Sequence, residues 1–276
     1  MDLTFTKMHG LGNDFVVIDG RDTSFRPSAD ETRAIADRRT GIGCDQLIVL
    51  VPPADAGAVI AMRIFNADGG EVEACGNAAR CVADLIMTET GLDSAIIETP
   101  AGLTRAERAK AGAISVDMGP ARLDWRQIPL AEDVDILHLQ IAEGELSDPV
   151  AIGMGNPHAV FFVEQADAVD LPRLGPLIEH HPLFPMRCNV EVVQCLAPDR
   201  LRARVWERGA GLTRACGTGA CAALVAASLR GLSARRASVE LDGGSLDIKW
   251  LGDDHVLMTG PTARVFSGTL DLSSLS

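Results

Sequence analysis

The chain has 276 residues, of which 47% are hydrophobic and 23% charged, and its formal net charge is −13. This is the composition of an ordinary globular protein, long enough for one large or two modest domains. The acidic balance argues against nucleic acid or an anionic membrane as a partner. The sequence has no apolar run of about 18 residues and no signal-peptide pattern, so neither a membrane span nor secretion is predicted. Seven cysteines without the spacing of a disulfide scaffold indicate a reducing cytoplasm.

The predicted elements alternate between strands and helices along the whole chain. In the first half, strands are expected over 15–18, 47–51, 59–65 and within 93–119, and helices over 28–39 and 77–90. The first helix is opened by a capping box at Ser28 and Glu31 and is expected to stop at Gly41. The acidic, proline-punctuated stretch 120–149 contains little signal, and we place a domain boundary at its start. In the second half, strands are expected over 190–193 and 201–206, a helix over 219–229, and short closing strands from residue 238.

Two cysteines occupy the same sequence context. Cys216 follows a strand and a glycine-rich loop and precedes a helix, and Cys75 lies in the same pattern 141 residues earlier. At a helix N-terminus the unpaired N–H groups and the helix dipole stabilise an anion. We therefore expect each thiol to ionise more easily than a free one, with a pKa falling from about 8.5 to roughly 3.5–7.5.

Two further pairs of similar dipeptides, separated by nearly the same number of residues, indicate an ancient duplication. Gly12-Asn13 recurs as Gly155-Asn156, 143 residues later, and Cys44-Asp45 recurs as Cys188-Asn189, 144 residues later. The halves would then be similar domains, each with one cysteine at the start of a helix. Other cysteines, namely Cys44, Cys81 and Cys221, are expected to pack in the core.

One thiol from each half could act on opposite faces of a small molecule. Inversion of a stereocentre needs one thiolate to remove the Cα proton and the opposite thiol to deliver a proton to the other face. This pattern predicts a racemase or epimerase of an amino acid. Pyridoxal phosphate enzymes use a lysine Schiff base, but none of Lys7, Lys110 and Lys249 lies in a phosphate loop or beside the cysteine motifs, so no cofactor is expected.

Metal and dinucleotide sites are poorly supported. His180, His181 and Cys188 are interrupted by prolines and have no CxxC or HxxxH spacing, so no metal is expected. The Gly10-Leu11-Gly12 segment lacks the third glycine and the helix of a dinucleotide loop.

Seven stretches of the chain, among them the two cysteine motifs, resemble the diaminopimelate epimerase family. Ala78 stands where that family usually has glycine, and Leu212 where it usually has glutamate. The stretches that match spread over most of the chain in the family's order: Gly12-Asn13-Asp14-Phe15, Gly43-Cys44-Asp45-Gln46, Phe65-Asn66-Ala67-Asp68-Gly69, Ala74-Cys75-Gly76-Asn77, Gly153 to Val160, Asn189-Val190-Glu191 and Glu207 to Cys221.

The resemblance implies an α/β fold of the α+β type with two pseudo-symmetric domains, each a mostly antiparallel sheet wrapped around a central helix. The domains would be 1–119, carrying Cys75, and 120–264, carrying Cys216, with about 265–276 returning to the first domain. It also implies conversion of LL-2,6-diaminopimelate to the meso form, a precursor of lysine and peptidoglycan, with Cys75 and Cys216 alternating as acid and base.

The resemblance assigns the remaining site residues to the two ends of the substrate, and His158 to a supporting role. The distal end would be bound by Asn66, Asn156, Asn189 and Arg208. The reacting end would be surrounded by Asn13, Gln46, Gly76, Asn77, Glu207, Gly217 and Thr218.

Alternatives remain open from the residues alone. Asn13 also fits a turn, Arg208 a surface charge, and His158 a ring that only hydrogen-bonds backbone. The chain could instead be a proline, hydroxyproline or other amino-acid racemase of the same fold. From another class, it could be a metal-binding or redox-switch protein using its seven thiols. A homodimer is allowed, but no residue pattern demonstrates one.

Overall fold

A computed structural model describes residues 2–23 and 25–274. The chain divides into two compact units. Unit 1 comprises the described residues of Met1–Val116 and Gly260–Ser276, and unit 2 comprises Asp117–Thr259.

Nineteen strands and four α-helices occur in the described residues. In the first half these are β1 (Asp2–Gly10), β2 (Asn13–Asp19), α1 (Ala29–Ala36), β3 (Gln46–Val51), β4 (Ile60–Asn66), β5 (Glu71–Val72), α2 (Gly76–Thr90), β6 (Ser94–Thr99), β7 (Gly102–Arg108) and β8 (Ile114–Pro120). In the second half they are β9 (Ala142–Glu143), β10 (Leu146–Ser147), β11 (Val150–Gly153), β12 (Pro157–Phe162), α3 (Leu171–Glu179), β13 (Asn189–Ala197), β14 (Arg200–Glu207), β15 (Gly211–Thr213), α4 (Gly217–Leu229), β16 (Arg236–Leu241), β17 (Gly244–Trp250), β18 (His255–Gly260) and β19 (Ala263–Asp271). Short 3₁₀ turns cover Lys110–Gly112, Ala166–Ala168 and Leu272–Ser274.

The strands of unit 1 form a mostly antiparallel sheet. Strand β1 pairs antiparallel with β2 and with β19, so the end of the chain adds a strand beside its beginning. Strand β2 runs parallel to β3, and β3 pairs antiparallel with β4. Strand β4 pairs antiparallel with β5 and parallel with β6, after which β6, β7 and β8 form an antiparallel meander.

Unit 2 repeats this order of pairing. Strands β11 and β12 are antiparallel, β12 and β13 parallel, and β13 and β14 antiparallel. Strand β14 pairs antiparallel with β15 and parallel with β16, and β16, β17 and β18 again form a meander. The same sequence of parallel and antiparallel pairings in both units is what an internal duplication predicts.

Each sheet packs around one helix. Helix α4 is buried on nearly all sides, and it contacts β11 to β14, β16 and β17. Its alanine-rich sequence explains this, because a helix without a polar face is stable only when surrounded by protein. Helix α2 contacts β1, β2, β6 and β7 in the same way. The predicted α/β fold of the α+β type, with a mostly antiparallel sheet around a central helix, is confirmed.

The helices differ from the sequence prediction in several places: α3 was not predicted, α4 begins at Gly217 rather than at residue 219, and α1 ends early. Helix α1 opens at the predicted capping box but ends at Ala36 rather than near Arg39. The carboxylate of Asp37 accepts hydrogen bonds from the backbone of Arg39 and Thr40 and from the Thr40 hydroxyl, which starts a separate turn. Such local bonding by Asp competes with helix continuation.

The core cysteines agree with expectation, since Cys44, Cys81 and Cys221 are buried. Among the described residues, none of the helices combines the length and the apolar character needed to cross a membrane.

Candidate active site

In unit 1, Cys75 is the N-cap of α2. Its backbone is extended, with φ −149° and ψ 112°, so the chain turns into the helix at this residue. Gly76 and Asn77 are the first two residues of the helix. The first backbone N–H groups of a helix have no acceptor within it, so the thiol of Cys75 lies at an end that favours negative charge.

The side-chain amide of Asn13 is held in one orientation beside this cysteine. Its Nδ2 donates to Asp45 Oδ2 at 3.0 Å, and its Oδ1 accepts from Asn77 Nδ2 at 3.1 Å. The same Oδ1 accepts a long hydrogen bond from Cys75 Sγ at 4.0 Å. Asn13 therefore presents an acceptor, not a donor, to Cys75, the catalytic candidate of unit 1.

Asp45 belongs to a network of charges behind Asn13. Its Oδ1 accepts from Arg38 at 2.7 Å, and Arg38 also binds both carboxylate oxygens of Asp14, at 2.7 and 2.9 Å. Lys7 Nζ lies 2.6 Å from Asp14 Oδ2. Burial alone would raise the pKa of Asp14, but the hydrogen bonds from Arg38 and Lys7 outweigh it and hold that pKa well below its ordinary value. Sequence reasoning missed this network, whose visible signals were Asp14 and Asp45 inside matched motifs.

Gln46 and Asn66 face each other on adjacent strands. They are partners in the β3–β4 register, and Gln46 Nε2 donates to Asn66 Oδ1 at 2.9 Å. Gln46 Oε1 is buried and has no hydrogen-bond partner among the described residues. A buried acceptor of this kind is ready to receive an N–H donor.

In unit 2, Cys216 is the N-cap of α4, in the position that Cys75 has in unit 1. Its Sγ accepts from Gly219 N at 3.4 Å and lies 3.5 Å from the Thr218 hydroxyl. That hydroxyl in turn accepts from Asn156 Nδ2 at 3.5 Å. Gly217 is the first residue of the helix.

The ionisation of Cys216 differs from the sequence prediction. Burial raises the pKa of the Cys216 thiol well above its ordinary value, and the carboxylates of Glu207 and Glu191 add to the shift. Glu207 hydrogen-bonds both Thr213 and Cys216, and its own pKa is raised because the surrounding protein removes it from water. The expectation of a lowered pKa was wrong for this residue, since it considered the helix terminus but not the burial or the neighbouring acids.

His158 joins two side chains of the same unit. Its Nδ1 lies 2.7 Å from Glu191 Oε1, and its Nε2 lies 2.8 Å from Asn156 Oδ1. Both His158 and Glu191 are 0% exposed, and burial raises the pKa of Glu191. The alternative of a ring bound only to backbone is therefore excluded. Glu191 had a sequence signal, an acidic residue within an apolar strand, but we assigned it no role.

Asn189 and Arg208 form a separate group. Asn189 Nδ2 donates to Pro157 O at 3.2 Å, and its Oδ1 accepts from the backbone N of Arg208 at 2.9 Å. The guanidinium of Arg208 donates to Met186 O at 2.9 Å. Both ends of the Asn189 amide are thus used within the protein, where they fix the start of the loop that leads to Cys216.

The histidines and the cysteine considered as metal ligands have local partners. His180 bonds the backbone of its own helix, Leu183 N donates to His181, and Cys188 Sγ donates to Ile178 O. Within residues 2–23 and 25–274, no group of three or more His, Cys, Asp or Glu side chains is arranged to hold a metal ion.

Comparison with known proteins identifies the family. The family described as diaminopimelate epimerase matches residues 5–123 and 150–265. The chain belongs to this family. It is 59% identical to diaminopimelate epimerase of Rhodospirillum centenum, covering 96% of this chain and 91% of that protein. It is 56% identical to that of Phenylobacterium zucineum, covering 98% of each.

A solved structure supports the fold of this family member. The hydroxyproline epimerase from Agrobacterium vitis, determined with bound trans-4-hydroxy-L-proline, has a TM-score of 0.72 at 17% identity. The similarity covers 98% of this chain and 92% of that one. The resemblance predicted from sequence is confirmed at the level of family and fold.

Proposed function

We propose that this chain is an amino-acid isomerase that interconverts LL-2,6-diaminopimelate and meso-diaminopimelate by moving the proton of one Cα. The observation that carries the proposal is the duplicated cysteine: Cys75 and Cys216 are each the N-cap of the central helix of their unit. Family membership and the identity to diaminopimelate epimerases over nearly the whole chain support this substrate. The meso product would serve the synthesis of lysine and peptidoglycan.

The mechanism uses one thiol as base and the other as acid, exchanging roles with the direction of reaction. Removal of the Cα proton leaves negative charge that spreads onto the adjacent carboxylate, and the N-termini of α2 and α4 stabilise such charge. Because the pKa of Cys216 is raised, its thiol keeps its proton in this structure and is the proton donor. Glu207, hydrogen-bonded to Cys216, is the acceptor for its proton when the reaction runs in reverse. The steps need no cofactor.

The substrate-binding roles divide between the polar side chains already described. Asn13, Gln46, Gly76, Asn77, Glu207, Gly217 and Thr218 are assigned to the reacting end, and Asn66, Asn156, Asn189 and Arg208 to the distal end. Gln46 is supported by its buried, unsatisfied Oε1, which suits a substrate ammonium. Arg208 is half-buried and keeps further N–H groups for a carboxylate, to which guanidinium binds in a fork.

The test is proton exchange without added cofactor. Purified, reduced protein is incubated with LL-diaminopimelate in heavy water, beside Cys75→Ala, Cys216→Ala and the control Cys195→Ala, which changes an exposed cysteine outside both motifs. We expect the meso isomer with deuterium at one Cα from the wild type and the control, and a loss of at least about a hundredfold in both catalytic variants, since general acid–base groups contribute about 10²–10⁴-fold each.

Two other outcomes decide between the alternatives. Exchange with proline or hydroxyproline but not with diaminopimelate would keep the two-thiol mechanism and overturn the substrate. Exchange with no amino acid, together with thiol-dependent metal uptake or reversible oxidation, would favour the metal-binding or redox-switch class.

We further propose a cytoplasmic homodimer that binds no nucleic acid. The cytoplasmic location is supported by the chemistry, because catalytic thiols must stay reduced. The dimer is supported by Val265 and Phe266 on β19, which are 56% and 48% exposed and would gain from burial against a second copy. Light scattering of the wild type and of Phe266→Ser tests this, and a monomeric wild type would refute it.

A further inference from the structure

The duplicated asparagines of the two units are held with opposite amide orientations. Asn13 turns its Nδ2 to Asp45 and its Oδ1 to Cys75 and Asn77. Asn156 does the reverse: its Oδ1 faces His158 Nε2 at 2.8 Å and its Nδ2 faces the Thr218 hydroxyl beside Cys216. One unit therefore presents an acceptor next to its cysteine loop, and the other presents a donor.

The reason lies at the position that aligns with Asp45. Phe15 lies opposite Gln46 in unit 1 and His158 lies opposite Asn189 in unit 2, so the residue of unit 2 at the position of Asp45 is Cys188, whose thiol donates to Ile178 O. Unit 2 therefore has no carboxylate at this position to hold Asn156. His158 holds Asn156 instead, through Nε2, and its other ring nitrogen, Nδ1, lies 2.7 Å from the buried carboxylate of Glu191.

The proton count of the pair fixes the orientation of Asn156. If His158 is an imidazolium beside a carboxylate, both ring nitrogens carry hydrogen. If the proton between Nδ1 and Glu191 Oε1 lies on the carboxyl group instead, the carboxylic acid donates to Nδ1 and the remaining ring hydrogen is on Nε2. Nε2 therefore donates to Asn156 Oδ1 in both of these forms, in which the pair holds two protons, and the amide of Asn156 keeps its Nδ2 turned to Thr218. If the pair held one proton fewer, Nδ1–H would donate to the carboxylate and Nε2 would be an acceptor, so the contact with Oδ1 requires the two-proton pair.

We propose that Glu191 is a positioning residue for substrate binding, which sets the hydrogen on Nε2 of His158 and thereby makes Asn156 a fixed donor. The inference rests on the proposed function for its substrate, a carboxylate-bearing amino acid that Asn156 Nδ2 binds. Glu191 itself does not touch the substrate.

Replacement of Glu191 by Gln removes this control with little change in volume. A Gln side chain can accept from Nδ1–H with its oxygen or donate to Nδ1 with its amide, so both neutral tautomers of His158 become available. With hydrogen on Nδ1 only, Nε2 becomes an acceptor, and the Asn156 amide turns over to donate to it. The donor that faced the substrate is then lost.

The decisive experiment is a double-mutant cycle on Glu191→Gln and Asn156→Ala, with Glu240→Gln as a control that changes an exposed carboxylate on β16. Glu191→Gln should raise KM for LL-diaminopimelate about tenfold, the effect of one hydrogen bond to a charged group, and should change kcat by less than about threefold. In the Asn156→Ala background, Glu191→Gln should add no further rise.

The result that would overturn the proposal is an additive cycle, or a fall in kcat at unchanged KM. The second outcome would mean that Glu191 acts on Cys216 through Gly219, because a Cβ placed on Gly219 would lie only 2.9 Å from Glu191 Oε1.

A measurement on the wild type covers the case in which Glu191→Gln does not fold. The ¹⁵N shifts of the His158 ring, assigned by comparison with His158→Asn, report which nitrogen carries hydrogen. We expect Nε2 to be protonated from pH 6 to pH 9, and an unprotonated Nε2 would refute the proposal. Absence of epimerase activity in the wild type would instead refute the proposed function and leave the ring measurement intact.

Discussion

The strongest prediction from unit 1 concerns the substitution of Asp45. Three N–H donors converge on the two oxygens of this carboxylate: Asn13 Nδ2 and the backbone N of Asp14, each at 3.0 Å from Oδ2, and Arg38 at 2.7 Å from Oδ1. Asp45→Asn keeps one acceptor oxygen, whereas Asp45→Ala keeps none. The two variants therefore separate the role of the charge from the role of the acceptor that orients Asn13.

The expected magnitudes follow from exposure. In Asp45→Asn the oxygen should stay on Asn13 and Asp14, because the side chain of Arg38 is 57% exposed and can turn to water. Loss of an exposed ion pair changes the free energy by about 0–1 kcal/mol, so kcat/KM should fall at most about fivefold. In Asp45→Ala the ion pair with Arg38 is lost together with the hydrogen bonds from Asn13 Nδ2 and Asp14 N, which contribute about 0.5–1.5 kcal/mol each, and Asn13 is free to turn its Oδ1 away from Cys75. A fall in kcat/KM of about tenfold to a hundredfold is expected.

The assay is meso-diaminopimelate formation with Arg38→Ala as the comparison variant. This variant breaks the ion pair with Asp45 without touching Asn13, and it also breaks the ion pair with Asp14, which keeps Lys7 as a partner. Arg38→Ala should resemble Asp45→Asn. If Asp45→Asn were as impaired as Asp45→Ala, the charge and not the fixed acceptor would matter. If Asp45→Ala retained full activity, Asn13 would need no orientation, and our account of the unit 1 site would be wrong.

Two further predictions concern stability. A Cβ on Gly175 of α3 would lie 2.5 Å from Trp206 Cγ, so Gly175→Ala should lower the free energy of unfolding, measured by chemical denaturation, by roughly 1–3 kcal/mol. A Cβ on Gly252 would have no atom within 4 Å, so the control Gly252→Ala should leave the free energy of unfolding unchanged. Equal values for the two variants would refute the packing argument. The Asp117 carboxylate raises the pKa of His255 above 6.5, and this stabilisation is complete below the unfolded pKa and is lost as pH rises through the folded one. Asp117→Asn should therefore destabilise the protein more at pH 5.5 than at pH 9, and a loss independent of pH would contradict this.

The sequence predicted the fold well because its signals are local and repeated. The glycine-rich loops before Cys75 and Cys216, the strand patterns that precede them and the alanine-rich helix α4 all specify one type of element at one position. The duplication then fixed the order of the strands, because the same pairings recur in both units. The α1 boundary was missed because Asp37 ends the helix through its own side-chain bonds.

The chemistry of the site was harder to predict, because it depends on burial. A helix N-terminus predicts an acidic thiol, but Cys216 is buried beside Glu207 and Glu191, and desolvation with like charge shifts the pKa the other way. Lys7 and Arg38 carry no motif of their own, and only the fold brings them to Asp14. Sequence patterns identify a residue's place on the chain, whereas its pKa is set by neighbours that lie far away along it.

The divergence between the repeats explains how a duplicated chain can serve an unsymmetric reaction. Under the proposed function, one amino-acid end of diaminopimelate reacts while the other is only recognised, so two equivalent half-sites would not distinguish them. The aligned positions have changed accordingly: in the strand registers Asp45 corresponds to Cys188, and Asn66 to Glu207. The first change removes the carboxylate that orients the asparagine, and unit 2 uses His158 with Glu191 instead. The second gives only Cys216 an acidic neighbour at the aligned position. Opposite amide orientations and unequal thiol environments thus arise from a few substitutions, while the sheet and its central helix stay the same in both units.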